Sequence, residues 1–68
     1  MLTEHIPLPE SNSLILVIMY RVENDWVVAF YPRDNTVAGR YATEAEAIAV
    51  RDELRTRCAV HYALTRAL

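Results

Sequence analysis

One stretch decides the fold: residues 26–47 read WVVAFYPRDNTVAGRYATEAEA. Its first six residues are mostly β-branched or aromatic, and they predict a strand that ends at Pro32, because proline cannot donate to a β-ladder. The turn residues of 32–35 then lead into a second, shorter strand over 36–41. Gly39 in that strand marks either a bulge or a place where a side chain such as that of Trp26 lies over the backbone.

A long helix is predicted after these two strands. Thr43 is its expected N-cap, and Glu46 stands three residues later, which completes a capping box. Glu44 and Glu46 also favour the positive end of the helix dipole, by a few tenths of a kcal/mol each.

The helix shows a stripe of residues at the spacing of a core face: Ala47, Val50, Leu54, Cys58 and His61. Glu46, Glu53 and Arg57 are expected on the solvated side. Beyond Cys58 the sequence is apolar around most of the helix circumference. The helix tail therefore either packs on more than one neighbour, or it breaks near Cys58 and folds back.

A further strand is predicted before this stretch, over Leu14 to Tyr20, which reads LILVIMY and contains neither glycine nor proline. Its lack of alternation makes both faces apolar, although an antiparallel sheet usually presents one polar face to solvent. The second face must therefore be covered, and a chain of 68 residues has little left to cover it.

The turn that joins the first two strands leaves their register open. Residues 23–25 read END, a cluster of turn-forming residues. A two-residue turn over 24–25 sets Val22 opposite Val27, whereas a three-residue turn over 23–25 sets Val22 opposite Trp26. The choice decides which residues of the first strand share a face with Trp26, Val28 and Phe30.

Together these elements predict an α+β fold, in which a three-stranded antiparallel sheet packs against one long C-terminal helix in the order β-β-β-α. Residues 1–13 contain Pro7 and Pro9 and form an irregular N-terminal arm, with Ile6 and Leu8 against the body, while residues 14–68 form a single small domain. A domain of this size buries only about 60% of the surface that its unfolded chain exposes, so we expect a partner to add stability.

Composition narrows the class of protein further. The net charge is −2, the seven basic residues are all arginines, and 53% of the residues are hydrophobic, which argues against disorder. A domain that binds nucleic acid through phosphates normally carries a basic excess. The first residues lack a signal-peptide pattern, and the longest apolar run is too short to cross a bilayer. We expect a cytoplasmic protein, and the single cysteine fits a reducing compartment.

No catalytic, cofactor or metal motif stands out. Ser11, Ser13, His5 and His61 lie in no nucleophile or triad context, and a single glycine excludes a glycine-rich phosphate loop. Cys58 and His61 are three residues apart on the helix, but two ligands make a weak metal site, and a buried cysteine packs as a small hydrophobe. We therefore expect no enzymatic activity, no cofactor and no metal.

Aromatic and arginine side chains are the better candidates, because Tyr, Trp and Arg dominate the hot spots of protein interfaces. Packing within the sheet accounts for most aromatics in a domain like this one, and an exposed patch bordered by arginines is the functional reading. The candidate partner-binding residues lie on the hairpin strands and on the apolar helix tail: Tyr20, Arg21, Trp26, Tyr31, Arg33, Arg40, Tyr62, Leu64 and Leu68.

The order of three strands and a helix, with Trp26 opening the second strand and GRYATEAEA (39–47) leading into the helix, resembles the AP2 domains and the arm-binding domains of phage-type integrases. The resemblance covers residues 15–55. In those families, arginines and lysines on the outer sheet face read the major groove, which implies such a role for Arg21, Arg33 and Arg40. This chain departs from the families in its acidic charge, its lack of lysine and its apolar first strand.

Two functions follow from these observations. The first is a small non-enzymatic protein-binding module, such as an accessory or inhibitor protein of a phage or other mobile element (anti-CRISPR proteins are of this kind), which forms a homodimer through the first strand or the helix tail. The alternative is a sheet-face nucleic-acid-binding domain, which predicts that Arg21, Arg33 and Arg40 cluster on one exposed face. The acidic charge favours the first.

Overall fold

The computed structural model describes residues 2–9, 15–31 and 36–61, together with the helical backbone of residues 62–67. In chain order it contains β1 (Leu16–Val22), β2 (Asp25–Tyr31), β3 (Thr36–Tyr41) and α1 (Glu44–Ala67). The strands form an open antiparallel sheet in the order β1-β2-β3. Residues of α1 join the sheet in one hydrophobic core, so the predicted α+β fold is confirmed.

β1 and its turn differ from the prediction. The strand continues through Val22, and the turn is Glu23-Asn24, so that Val22 pairs with Asp25 and Arg21 with Trp26. Both registers expected from the sequence are therefore wrong. The predicted start of the strand, residue 14, lies outside the described residues. Glu23 adopts a φ of 57°, a left-handed conformation that Asn and Gly adopt more readily, and this preference points to a turn that begins one residue later.

The residues of β1 nevertheless lie on the sides of the sheet that the two-residue turn predicted. The observed ladder is shifted from it by two residues, and side chains alternate with a period of two, so the same side of β1 joins Trp26. Val17 lies opposite Phe30 and Met19 opposite Val28. These residues face α1.

The core lies between this face of the sheet, α1 and the N-terminal arm. Phe30, Val28 and Leu54 are its largest fully buried apolar side chains. The rest of the buried cluster comes from the arm, from β1 and the residue before it, and from α1: Ile6, Ile15, Val17, Ala47, Val50 and Cys58. Leu8 packs against the cluster as well, so the expected contact of the arm with the body is confirmed.

α1 is one continuous helix past Cys58, which settles the question of a break in favour of continuity. Half of its predicted capping box forms, since the Glu46 N–H donates to Thr43 Oγ1 at 3.2 Å. The Glu46 carboxylate accepts from the Thr43 hydroxyl at 3.4 Å rather than from the Thr43 N–H. The predicted core stripe is buried through Cys58, whereas His61 is exposed. The 24 residues of α1 span about 36 Å and seven-residue strands about 24 Å, so the helix extends past the sheet before His61 can be covered.

The arm is fastened to α1 by hydrogen bonds at a buried threonine. Glu53 Oε1 accepts from the Thr3 N–H at 2.9 Å and from the Thr3 hydroxyl at 2.8 Å, and Glu53 Oε2 accepts from the Leu2 N–H at 3.1 Å. Arg57 Nη1 donates to the Thr3 carbonyl and, at 3.2 Å, to its hydroxyl oxygen. Glu53 and Arg57 were expected on the solvated side; they are half-buried instead, because they supply the polar partners of the arm.

Candidate protein-binding site

The side of the sheet that faces away from α1, which we call the outer sheet face, is largely apolar. Pairing across the strands places Tyr20 beside Val27, Ile18 beside Ala29, and Leu16 beside Tyr31. On β3, Val37 pairs with Ala29 and Arg40 with Val27, so both lie on the same side. The middle of the central strand therefore presents the small apolar residues Val27 and Ala29, and Tyr31 stands at its end.

Four large apolar side chains of the outer sheet face are well exposed. The exposed fraction is 48% for Leu16, 37% for Tyr20, 48% for Tyr31 and 52% for Val37. Val27 and Ala29, on the central strand between them, are buried even though they lie on the side opposite the core. No part of the chain within the described ranges forms an element that packs over this face.

The charges on the outer sheet face neutralise each other. Arg40 Nη2 lies 2.9 Å from Asp25 Oδ2, and both side chains are about half exposed. Because Asp25 is on the same side of β2 as Val27, this ion pair sits at the hairpin end of the face. Such an exposed pair adds little stability, of the order of 0–1 kcal/mol, but it leaves the face without net charge.

The opposite side of the sheet carries a row of three residues at its hairpin end. Arg21 pairs with Trp26, and Trp26 with Tyr41. The guanidinium carbon of Arg21 lies 5.5 Å from the centroid of the Trp26 ring, within the range of a cation–π contact. Arg21 and Arg40 therefore lie on opposite faces of the sheet.

Tyr41 lies over Gly39, which explains the single glycine. A Cβ at Gly39 would stand 2.5 Å from the Tyr41 hydroxyl oxygen and 2.9 Å from Tyr41 Cζ. A bulge follows, since Val28 pairs with Gly39 but Ala29 with Val37, which leaves Ala38 as the extra residue. Both readings of Gly39 are thus confirmed, with Tyr41 rather than Trp26 as the side chain over the backbone.

Tyr41 also lines an open cleft of about 430 Å³ between the arm, β3 and the first turns of α1. Leu2, Ala49 and Val50 make most of its wall apolar, and His5 and Glu46 are its titratable groups besides Tyr41. Burial raises the pKa of the Tyr41 phenol, and the carboxylate of Glu46 adds to the rise. At neutral pH the phenol is therefore a neutral hydrogen-bond donor.

The outer edge of β1 is contacted by a side chain of α1. Arg55 donates to the Val17 carbonyl oxygen from Nε at 3.2 Å and from Nη2 at 3.1 Å. Arg51, one helical turn earlier and on the same side of α1, forms an ion pair of 3.1 Å with Asp52. Sequence reasoning missed both arginines, because their role depends on which strand the helix passes and no local pattern encodes that.

The predicted partner-binding residues are divided among three places. Tyr20, Tyr31 and Arg40 lie together on the outer sheet face, while Arg21 and Trp26 lie on the side of α1. Arg33 and Leu68 lie outside the described residues, as do the side chains of Tyr62 and Leu64. The sequence missed Leu16 and Val37, whose side of the sheet follows only from the register.

The described parts of the chain hold neither a cluster of metal ligands nor a helix that could span a membrane. Cys58 is buried while His61 is exposed, and no group of three His, Cys, Asp or Glu side chains there is arranged to hold a metal ion. Burial raises the pKa of the Cys58 thiol, although the neighbouring Arg57 opposes the rise. The described helix is not apolar enough over its length to cross a membrane.

Comparison with protein-family models, with curated proteins and with solved structures finds no match to this chain.

Proposed function

We propose that this chain is a small non-enzymatic protein-binding module whose outer sheet face takes a protein partner. The observation that carries the proposal is a sheet that is apolar on both sides. An antiparallel sheet covered by a helix on one side normally turns polar residues to the other. Here Leu16, Tyr20, Tyr31 and Val37 stand there instead, and a group of exposed apolar side chains on one face is typical of interaction sites.

The exposed side chains are numerous enough to support binding. Full burial of a large apolar side chain contributes about 1.5–3 kcal/mol, so covering the exposed half of one contributes about 1 kcal/mol. Four such side chains give several kcal/mol against the entropic cost of association. Tyr20 and Tyr31 are also of the residue type that most often anchors an interface.

A second copy of the chain is the first partner that we propose. Two outer sheet faces can meet without bringing like charges together, because Asp25 and Arg40 neutralise each other on each copy. The resulting dimer would be a sandwich of two sheets about 10 Å apart, with a helix on each outside. The tail of α1, with Tyr62 and Leu64, and Leu68 beyond it in the sequence are the other contact proposed for a homodimer.

We further propose an accessory or inhibitory role, of the kind that proteins of phages and other mobile elements perform on a protein target in the cytoplasm. The supporting features are the small size, the net charge of −2 and the apolar outer sheet face. A single buried cysteine, Cys58, is compatible with a reducing compartment.

Sedimentation equilibrium of the purified chain tests the homodimer. We expect the wild-type chain to exceed its monomer mass of 7.8 kDa at micromolar concentrations, and the double variant Leu16→Glu, Val37→Glu to sediment as a monomer. Both positions are about half exposed, so the variant should keep its fold. Thr56→Glu, an exposed position on α1, adds the same kind of charge elsewhere and should self-associate like the wild type.

The outcomes separate the two parts of the proposal. A wild-type chain that is monomeric at every concentration removes the homodimer. In a pull-down from the source cell, the double variant could still fail to capture a protein that the wild type and Thr56→Glu both capture. That result would support a different protein as the partner of the outer sheet face. If both variants retain every partner, the outer sheet face is not the binding site.

Nucleic-acid binding is the competing function, and the same protein can be used to test it. Arg21 and Arg40 lie on opposite faces of the sheet, so their placement adds no support to a cluster of arginines on one face. A mobility-shift assay with duplex DNA at low salt is the direct test. Binding that disappears on Arg40→Gln and falls steeply with added salt would favour nucleic acid over a protein partner.

A further inference from the structure

β1 is an edge strand, and its register fixes which backbone groups point outwards. Val22 and Asp25 close a two-residue turn as a hydrogen-bonded pair, and hydrogen-bonded and non-hydrogen-bonded pairs alternate along an antiparallel ladder. Val17, Met19 and Arg21 therefore turn their N–H and C=O groups away from β2. The hydrogen bonds from Arg55 to the Val17 carbonyl agree with this assignment.

Arg55 satisfies only one end of this edge. Within the described residues, the outward N–H and C=O groups of Met19 and Arg21 have no partner in the turns, caps and side-chain bonds of the chain. The other edge strand is protected differently, because the bulge at Ala38 interrupts the regular alternation of β3. Residues 18–22 of β1 are thus the part of the sheet best suited to pair with another strand.

The same edge is basic, although the chain as a whole is acidic. Arg21 lies on the strand with its guanidinium over Trp26, and Arg51 and Arg55 occupy successive turns of α1 beside the strand. The acidic residues nearest to them are Asp52, which is bound to Arg51, and Glu23, which follows β1 in the turn; the three arginines outnumber these two carboxylates. Asp25, just past the end of the strand, is already bound to Arg40.

We propose that the edge of β1 takes an extended, acidic peptide segment of a partner protein as a fourth strand. The backbone groups of Met19 and Arg21 provide the ladder hydrogen bonds, as in other cases of strand addition. Arg55 blocks the Val17 carbonyl, so the added strand ends there. The remaining N–H groups of the Arg55 guanidinium bind a carboxylate of the peptide at this end. Arg51 and Arg21 select acidic side chains along the segment.

This site is distinct from the outer sheet face, so the two proposals can fail separately. The outer sheet face offers apolar side chains and no net charge, whereas the β1 edge offers backbone groups and arginines. The single variant Val37→Glu, on β3 at the opposite edge of the sheet, should weaken self-association and keep peptide binding. Loss of peptide binding on variants of the edge should leave the sedimentation behaviour unchanged.

Fluorescence anisotropy with a labelled peptide of alternating Glu and Val tests the β1 edge. A matched pair of variants separates charge from backbone: Arg21→Gln removes the charge and keeps the N–H, while Arg21→Pro removes both at an exposed edge position. We expect Arg21→Gln to weaken binding by about threefold and Arg21→Pro by about tenfold or more. Arg40→Gln, on the other face, is the control and should bind like the wild type.

Two further probes decide the class of ligand. A peptide of alternating Lys and Val should bind much more weakly, and the acidic peptide with N-methylated backbone should not bind. Absence of binding to the acidic peptide by the wild type, or equal binding of its N-methylated form, overturns the proposal. An equal loss of affinity in Arg21→Gln and Arg21→Pro also overturns the proposal, because it shows that the site recognises charge alone. Tighter binding of single-stranded RNA than of the acidic peptide does the same.

Discussion

The Thr3 hydroxyl donates to the Glu53 carboxylate at 2.8 Å, across 50 positions of the chain. Thr3 is fully buried, and Arg57 donates to its hydroxyl oxygen from the other side. The hydroxyl is therefore both a donor and an acceptor within one small network. No local sequence pattern at Thr3 or Glu53 predicts this contact, yet it holds the arm against α1.

Thr3→Val should destabilise the fold while keeping the shape of the side chain. The substitution removes the hydroxyl and leaves Glu53 and Arg57 each short of one partner, which costs about 1–2 kcal/mol. Urea unfolding followed by circular dichroism measures the change. Thr56→Val is the matched control, since Thr56 is exposed and its hydroxyl bonds only to the Asp52 carbonyl of its own helix; it should be nearly neutral.

The stability of the chain should fall in acid partly through Glu53. Hydrogen bonds from the Thr3 hydroxyl and then from the Thr3 N–H hold the pKa of Glu53 below its usual value of about 4.5. The folded-state pKa is the lower one, so this contribution is fully present above the unfolded-state pKa and is lost as the pH falls through the folded-state pKa. Urea midpoints between neutral pH and pH of about 3 should show a shallower fall for Glu53→Gln than for the wild type. An unchanged slope in that variant would contradict the assignment.

Gly39→Ala should displace Tyr41. The added Cβ would lie well inside contact distance of the phenol oxygen, so the ring must leave its place beside the cleft. We expect a loss of about 1–3 kcal/mol, as for other overpacked sites, and a fall in the Tyr41 pKa towards its usual value. Ultraviolet titration of the tyrosines follows the second effect. The same substitution in a Tyr41→Leu background should cost less; an equal cost would place the strain elsewhere.

Cys58 should react slowly with thiol reagents in the folded chain. Its side chain is buried, and burial raises the pKa of the thiol, so the reactive thiolate is scarce. Labelling with DTNB at mildly alkaline pH should be much slower than for glutathione and should speed up across the urea transition. Fast labelling in native buffer would show that the helix opens at this point.

Features that depend on residues close together in the sequence were predicted correctly, whereas features that depend on long-range pairing were not. The N-cap at Thr43 and the stripe from Ala47 to Cys58 are local patterns, and both are present. The turn at Glu23 was not predicted, because glutamate has only a weak intrinsic preference for positive φ. The strain at Glu23 is offset by the pairing of the whole of β1 with β2.

The candidate site shows the same division. The sequence predicted that the first strand is apolar on both sides and that its second face must be covered. In the described part of the chain, no helix or strand covers that face. Which residues occupy that face depended on the register, so Val37 was missed and Arg21 was grouped with Arg40 although they lie on opposite sides. The contact of Arg55 with Val17 joins residues 38 positions apart and has no local signature.

The attachment of the arm to α1 has a consequence for how the molecule opens. Its bonds join residues at least 50 positions apart, and they can close only after the helix and its register are in place. We infer that the arm forms last and detaches first, as a unit of lower stability than the sheet. Hydrogen exchange would then report two openings: a shallow one at the amides of Leu2 and Thr3, and a deep one at Val28. Release of the arm would also uncover Ile6, so a transient opening of the arm alone exposes part of the core without unfolding the sheet.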